Sequence, residues 1–216
     1  LSDLIICPSK FVYDSIPEKI KKEKRIVISA FGSPKALRHK PIVENTKLKV
    51  LFVGTLTQRK GLADLFEAMK IIGRSDIELV VLGSMLMPLD FYKRQYSEFM
   101  YESPRNHTQL LELMKTCDVL ILPSIVEGRA LVMQEALSCG LPLIITSNTG
   151  GEDLIDDGKT GFLIPIRSPE QIAEKINWFA DNKDKLPQMR EYAINKSKLY
   201  TWDNYVSGIL EGINQL

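Results

Sequence analysis

The sequence predicts an α/β protein built on a doubly wound, Rossmann-like parallel sheet. Two observations predict it. Four short apolar runs, KVLFVG (49–54), IELVVLG (77–83), CDVLILPS (117–124) and LPLIITS (141–147), are continuous rather than alternating, as strands covered on both faces require. The segments between them carry apolar residues at helical spacing: Leu62, Leu65, Phe66 and Met69, then Leu110, Leu111 and Met114, then Val132, Ala136 and Leu137. Alternation of this kind implies crossover connections and a parallel sheet with helices on both faces.

Taken in order, residues 1–31 read as a strand (LIIC), a helix from Pro8 interrupted near Pro17, and a strand (RIVIS). GSPKALRHKPIVENTK is polar and proline-bearing, which suits a linker. Core strands are expected at 48–54, 78–83, 118–123 and 142–146, and a weaker fifth at GFLIPI (161–166) after the DDGKTG turn. MYESPRNH (100–107) reads as irregular up to His107, which opens a helix. Three helical patterns close the chain: 168–182 from Ser168-Pro169, 185–199, and 201–215 from Thr201.

The composition narrows the class. A chain of 216 residues, 44% hydrophobic and 25% charged, can bury a sizeable core. A net charge of +1 gives no reason to expect nucleic acid. Cys7, Cys117 and Cys139 are odd in number and lack a Cys-x-x-Cys spacing, which argues against a metal cluster or disulfide framework and fits a reducing cytoplasm. No apolar run is long enough to span a bilayer and no signal peptide opens the chain, whose first residue is Leu1. It reads as a piece of a longer protein. EKIKKEKR (18–25) could touch acidic lipid at an inner membrane face, but a solvated helix end is the better reading.

Two stretches could carry chemistry. GTLTQRKG (54–61) joins a buried strand to a helix, its glycines permit a tight turn, and Arg59 and Lys60 precede the helix. Backbone N–H groups at a helix start beside two cations suit a phosphate. The GxxxxGK[ST] order of a P-loop is absent. In VEGRALVMQEALSCG (126–140), Gly128 allows a sharp turn after a strand, and residues 129–131 can aim successive N–H groups at an anion. Glu127 and Glu135 could each accept from the vicinal hydroxyls of a sugar. Composition and spacing alone leave both as surface glutamates. His39 and His107 have no Ser or Asp partner at a triad spacing. Trp178 and Trp202 suit packing, and Cys139 suits a small buried position.

Together these stretches resemble the C-terminal, donor-binding domain of glycosyltransferase family 4 (glycosyl transferases group 1), the retaining GT-B enzymes. The matching residues are VGTLTQRKGLADLFEAM, DVLILPSIVEGRALVMQEALSCGLPLIITSNTGGEDLIDDGKTGFLIP and YTWDNYVSGI. Glu127 and Glu135 look like that family's paired glutamates separated by seven residues, followed by its EA-x-x-CG-x-P run.

The resemblance implies four parts: residues 1–32 as a remnant of an N-terminal, acceptor-side domain, 33–47 as interdomain linker, 48–200 as the nucleotide-sugar-binding domain, and 201–216 as a crossover helix. It implies transfer of a glycosyl group, with retention, from a nucleotide-sugar such as a UDP- or GDP-sugar to a glycan or lipid-linked acceptor. No metal and no cofactor are implied, and surface polysaccharide or glycan synthesis in the cytoplasm is the expected setting. Donor contacts are expected from Gly54, Thr55, Arg59, Lys60, Glu127, Gly128, Arg129, Ala130, Leu131 and Glu135. Arg59, Lys60 and Glu127 are the expected catalytic groups.

By the same resemblance, Arg59 and Lys60 neutralise the diphosphate, Glu127 holds sugar hydroxyls, residues 129–131 offer N–H groups, and Glu135 takes the ribose. The base is expected near MYESPRNH. The family often has arginine where this chain has Thr55, and commonly EGFG where this chain reads EGRA. The Arg129 side chain is then either an extra phosphate or acceptor contact or a solvated rotamer. The rival classes are an inactive glycosyltransferase-like nucleotide-binding domain and an unrelated doubly wound binding module.

Overall fold

The computed structural model describes residues 2–35 and 47–215. Most of the expected linker, with His39, lies outside the described residues. The helices in chain order are α1 (Lys10–Asp14), α2 (Glu18–Glu23), α3 (Leu62–Ile72), α4 (Leu89–Gln95), α5 (His107–Met114), α6 (Leu131–Ser138), α7 (Pro169–Asp181), α8 (Leu186–Ser197) and α9 (Trp202–Asn214). The strands are β1 (Leu4–Cys7), β2 (Arg25–Ile28), β3 (Leu48–Val53), β4 (Ile77–Leu82), β5 (Phe99–Glu102), β6 (Val119–Leu122), β7 (Leu143–Thr146) and β8 (Gly161–Ile164).

Strands β3 to β8 form one parallel sheet in the order β5-β4-β3-β6-β7-β8. The chain lays down β3, β4 and β5 outward in one direction. It then returns to place β6 on the other side of β3 and continues to β7 and β8. The reversal falls between β3 and β6, so the loops leaving those two strands diverge to opposite faces. Sheets of this kind usually bind ligands outside the carboxyl ends of the strands at that reversal.

The continuous apolar runs follow from double coverage. Leu48, Val50 and Phe52 point into a core made with α3 and α7, including Phe66, Ile176 and Phe179. Leu51 and Val53 point the other way, toward Met133, Ala136 and Leu137 of α6 and Met114 of α5. Both faces of β3 are therefore dry. A fully buried side chain of this size stabilises the fold by about 1.5–3 kcal/mol.

A buried ion pair fixes the start of β6. Arg190 of α8 donates to Asp118 Oδ1 at 2.7 Å and to the Cys117 carbonyl at 2.9 Å. The other Asp118 oxygen accepts from the Lys49 backbone N–H at 2.8 Å, binding the entries of β3 and β6 together.

Two elements depart from the sequence expectation. The stretch expected to be irregular from residue 100 begins inside β5, which adds to the sheet edge beside β4. Helix α4 precedes it and buries only Tyr92, whose hydroxyl donates to the Leu56 carbonyl at 3.0 Å. The broken N-terminal helix resolves into α1 and α2, separated at Pro17.

Strands β1 and β2 form a separate two-stranded parallel sheet. Helix α9 lies on it so closely that a Cβ on Gly212 would come within 2.6 Å of Val27 Cγ2. Ser29 donates to the Tyr205 carbonyl at 2.9 Å, and Phe31 meets Trp202 and Tyr205 ring to ring.

Candidate functional site

The loop after β3 runs through Gly54 and Thr55 into a single 3-10 turn, Gln58–Lys60, and then Gly61. Gly61 has φ +73°, and a Cβ there would sit 2.0 Å from the Pro123 carbonyl oxygen. Only glycine tolerates both conditions. This close approach, with the Ile125 N–H donating to the Arg59 carbonyl at 2.8 Å, joins the loop after β3 to the loop after β6. The two loops flanking the switch point thus form one rim.

Across that rim, Lys60 Nζ lies 2.8 Å from Glu127 Oε1, and the two side chains are each only 13% exposed. Arg59 reaches the same oxygen at 2.5 Å and also donates to the Val126 carbonyl at 3.2 Å. Its own side chain remains 54% exposed, so its outer nitrogens face solvent. The stem of Lys60 runs over Gly54, where a Cβ would lie 3.3 Å from Lys60 Cε. Thr55 is half-buried, and its carbonyl accepts from the Thr57 hydroxyl at 3.4 Å. One carboxylate shared by two cations leaves a net positive rim, a suitable counter-charge for an anionic group.

The loop carrying Glu127 is held from below. The Glu127 N–H donates to the Asn148 carbonyl at 2.8 Å, and Asn148 Nδ2 donates to the Ile125 carbonyl at 3.0 Å. The Gly128 carbonyl accepts from the Ser9 hydroxyl at 2.6 Å. Gly150, with φ +66°, passes beneath it, and a Cβ there would come within 2.1 Å of that carbonyl. Ser9 and Gly150, which brace the loop carrying Glu127, are absent from the sequence expectation. The TGG signal (149–151) hints at the second; nothing local hints at the first.

The solvated rotamer expected as one alternative for Arg129 requires a correction: its side chain is 1% exposed. It donates to Asp153 at 2.8 and 3.1 Å, to the Gly150 carbonyl at 3.0 Å and to Gln134 Oε1 at 3.0 Å, and it lies over the Tyr200 ring. The guanidinium is turned inward and clamps the loop after β7 to the start of α6. Ala130 is the N-cap of α6 and provides no side-chain acceptor, while Leu131 is exposed at the first helical position. No side chain therefore caps the first N–H groups of α6, and that of Met133 turns back to the Ala130 carbonyl at 3.1 Å.

Glu135 lies in the second turn of α6 and is paired with His107 of α5, Nε2 to Oε1 at 3.1 Å. Its carboxyl is pushed above the usual range, chiefly by burial and against the opposing pull of His107. The structure therefore brings Arg59, Lys60 and Glu127 into direct contact, and pairs Glu135 with His107. Burial pushes the Cys139 thiol up to about 11. Trp178 packs edge-on against Phe162 and Phe179. Among the described residues no group of three or more His, Cys, Asp or Glu side chains could hold a metal ion. Among them, too, no helix is long and apolar enough to cross a membrane.

A family model for glycosyl transferases group 1 matches residues 34–196. The chain belongs to that family. A glycosyltransferase of Methanocaldococcus jannaschii, itself uncharacterized, is 26% identical over 217 residues, covering 100% of this chain and 60% of the relative. The capsular polysaccharide biosynthesis glycosyltransferase CapM of Staphylococcus aureus is 25% identical over 195 residues, 81% of this chain and 51% of CapM. Among solved structures, Anabaena HepE in complex with UDP and glucose superposes with a TM-score of 0.81 at 18% identity, covering 100% of this chain and 64% of HepE. The six-stranded parallel sheet is thus that of GT-B glycosyltransferase structures. The chain spans less than two thirds of the length of each of these proteins.

Proposed function

We propose that this chain is the donor-binding part of a retaining, family 4 glycosyltransferase. It takes a hexosyl group from a nucleoside diphosphate sugar and passes it to a glycan or lipid-linked acceptor. The observation that carries this reading is the Lys60–Glu127–Arg59 cluster at the carboxyl ends of β3 and β6. It sets two cations on an ordered carboxylate in the loop that leads into α6, whose start no side chain caps. A diphosphate needs the cations and N–H groups, and a sugar diol needs the carboxylate.

In this reading Lys60 turns from Glu127 to the diphosphate as the donor enters, and Arg59 supplies a second, outer contact. The N–H groups of Arg129, Ala130 and Leu131 complete the diphosphate cradle, with Gly54 and Thr55 forming its floor and Gly128 letting the chain pass close. Glu127, released, accepts from sugar hydroxyls. Glu135 accepts from the ribose. Charge builds on the departing diphosphate as the glycosyl bond breaks, so fixed cations and N–H dipoles stabilise that step most, with no metal required.

The acceptor belongs to a further domain, of which residues 1–32 are the last part. Support comes from α9, where Trp202, Val206, Leu210 and Ile213 form a stripe of exposed apolar residues, each 47–52% exposed. A face of this kind is more often covered than left wet. Relatives that extend beyond this chain supply a candidate cover. The proposed setting is glycan synthesis in the cytoplasm.

The test uses the whole protein with UDP- and GDP-sugars and records the anomeric configuration of the product by NMR. Inverted product overturns the retaining assignment. Tight UDP or GDP binding without transfer to any acceptor favours the second reading, an inactive nucleotide-binding relative, which Thr55 and Ala130 support because they replace residues common in the family.

A further inference from the structure

We propose that His107 is a positioning residue for the nucleotide: it fixes the Glu135 carboxylate in one orientation and leaves one oxygen free for a ribose. The inference rests on the reading of Glu135 given above.

Glu135 is the sole charged residue of α6, and its side chain is 16% exposed. A buried carboxylate meets two demands at once. It must be ionised to accept two hydroxyl hydrogen bonds, and burial works against ionisation. It must also be held in one rotamer, because a wandering carboxylate loses the geometry that a diol requires. The Nε2–H of His107 bears on both demands. It donates to Oε1 at 3.1 Å and leaves Oε2 without that bond. Burial nevertheless dominates, so the carboxyl stays above its ordinary range even with His107 in place.

The histidine is itself held. Asn106 accepts from the Gln109 N–H at 2.9 Å while Gln109 Oε1 accepts from the Asn106 N–H at 3.3 Å, a reciprocal cap that sets the start of α5. His107 is the first residue after that cap, and α5 packs against α6. The other charged groups near this interface are committed elsewhere. Lys115, at the end of α5, pairs with Glu112 at 2.5 Å, and Arg190 of α8, which also packs on α6, binds Asp118. His107 is therefore the group aimed at Glu135.

The two states of His107 have different consequences. A protonated imidazole donates and adds a positive charge beside the carboxylate. A neutral imidazole only donates, and only in the Nε2–H tautomer. Removing the ring removes both, so the carboxyl rises further and protonates closer to neutral pH. Nucleotide affinity then begins to fall at a higher pH than in the natural protein.

The experiment measures UDP and GDP binding to the whole protein by calorimetry from pH 5 to 8.5, for the natural protein, His107→Ala, His107→Gln and Glu135→Gln. Glutamine keeps a donor near the same place without a titrating charge. The proposal expects Glu135→Gln to weaken both nucleotides about tenfold at pH 8, the size expected for a hydrogen bond to a charged group. It expects His107→Ala to weaken affinity several-fold at pH 8, where the carboxylate has lost its anchor, and further at pH 6, with the acid limb of binding shifted upward. His107→Gln should restore most of the affinity at pH 8. If Glu135→Gln binds both nucleotides as the natural protein does, the ribose reading fails. If Glu135→Gln weakens binding but His107→Ala leaves affinity and the acid limb unchanged, the ribose reading stands and the role of His107 is overturned. Should His107→Ala melt early, the acid limb of His107→Gln decides: one identical to that of the natural protein, without restored affinity at pH 8, overturns the proposal.

Discussion

Lys60 and Glu127 meet at 2.8 Å from loops that leave β3 and β6 on either side of the sheet's switch point. Neither side chain needs solvent to balance its charge. The proposed donor site would therefore be held by its own ion pair until an anion competes for the lysine. Lys60→Ala should weaken UDP or GDP binding by about 1.5–3 kcal/mol, the range for a charge-assisted contact, while leaving uridine or guanosine binding nearly unchanged. Titration of all four ligands checks this; equal weakening of nucleotide and nucleoside would point to damaged folding.

Gly61 makes the meeting of those loops possible. Gly61→Ala must place a Cβ 2.0 Å from the Pro123 carbonyl at φ +73°. Either condition alone is unfavourable, and relief requires the two loops to part. We expect a loss of about 2–4 kcal/mol in stability, read from denaturant midpoints, together with weaker nucleotide binding. A variant as stable as the natural protein would show that the loop junction is adaptable.

The buried guanidinium of Arg129 predicts a stability effect without direct loss of a ligand contact. Arg129→Met keeps an apolar stem and removes the bonds to Asp153, Gly150 and Gln134. The Asp153 side chain is 46% exposed, so water can take over much of its charge. The loss should then be about 2 kcal/mol rather than the 3–5 kcal/mol of a fully buried pair broken on one side. Urea unfolding checks it. Were Arg129 a phosphate ligand, the same change would abolish nucleotide binding in a folded protein.

What the sequence discloses follows its physics. β3, β4, β6 and β7 are legible because both faces are dry, giving runs such as VLIL that no alternation interrupts. β5 is hidden because it is an edge strand: Phe99 is buried while Met100 is 49% exposed. Four residues of that kind leave no continuous run. Helix α4 is hidden because Tyr92 is its one buried residue, too little for a stripe. Lys60 and Glu127 can be nominated from glycine-flanked loops, but their contact depends on strand order. Arg129 misleads because a charged residue beside a loop is ordinarily solvated. Its partner Asp153 arrives only with the loop after β7. The His107–Glu135 pair likewise spans two helices whose packing no local spacing reveals.

Glu135 ties function to acid stability. Burial raises its carboxyl above the unfolded value, so the folded chain binds that proton more readily than the unfolded chain does. Its contribution to stability is fully present below the ordinary carboxylate range and is lost as pH rises through the raised value. Glu135→Gln removes the charge and so removes the loss. The variant should melt higher than the natural protein at pH 8, and the gap should close as pH falls toward about 4.3, the ordinary glutamate value. Melting curves across that window check the sign. A variant less stable at pH 8 would mean that the His107 bond outweighs burial.

The two glutamates should separate in kinetics. Glu135 is proposed to meet the ribose, present in both donor and nucleotide product, while Glu127 is proposed to meet the sugar, present only in the donor. Glu135→Ala should therefore weaken donor and product binding alike. Glu127→Ala should leave UDP or GDP binding unchanged or slightly tighter, because it frees Lys60 and Arg59 from a competing carboxylate. Turnover should nonetheless fall strongly, by about 10²-fold, since a group that orients the reacting sugar acts mostly in the transition state. Both variants must first be shown to be folded, because only then does a change in kcat or KM report on the site. A folded Glu127→Ala protein with natural turnover on its natural donor would remove Glu127 from the sugar site and leave it as a structural counter-ion for Lys60.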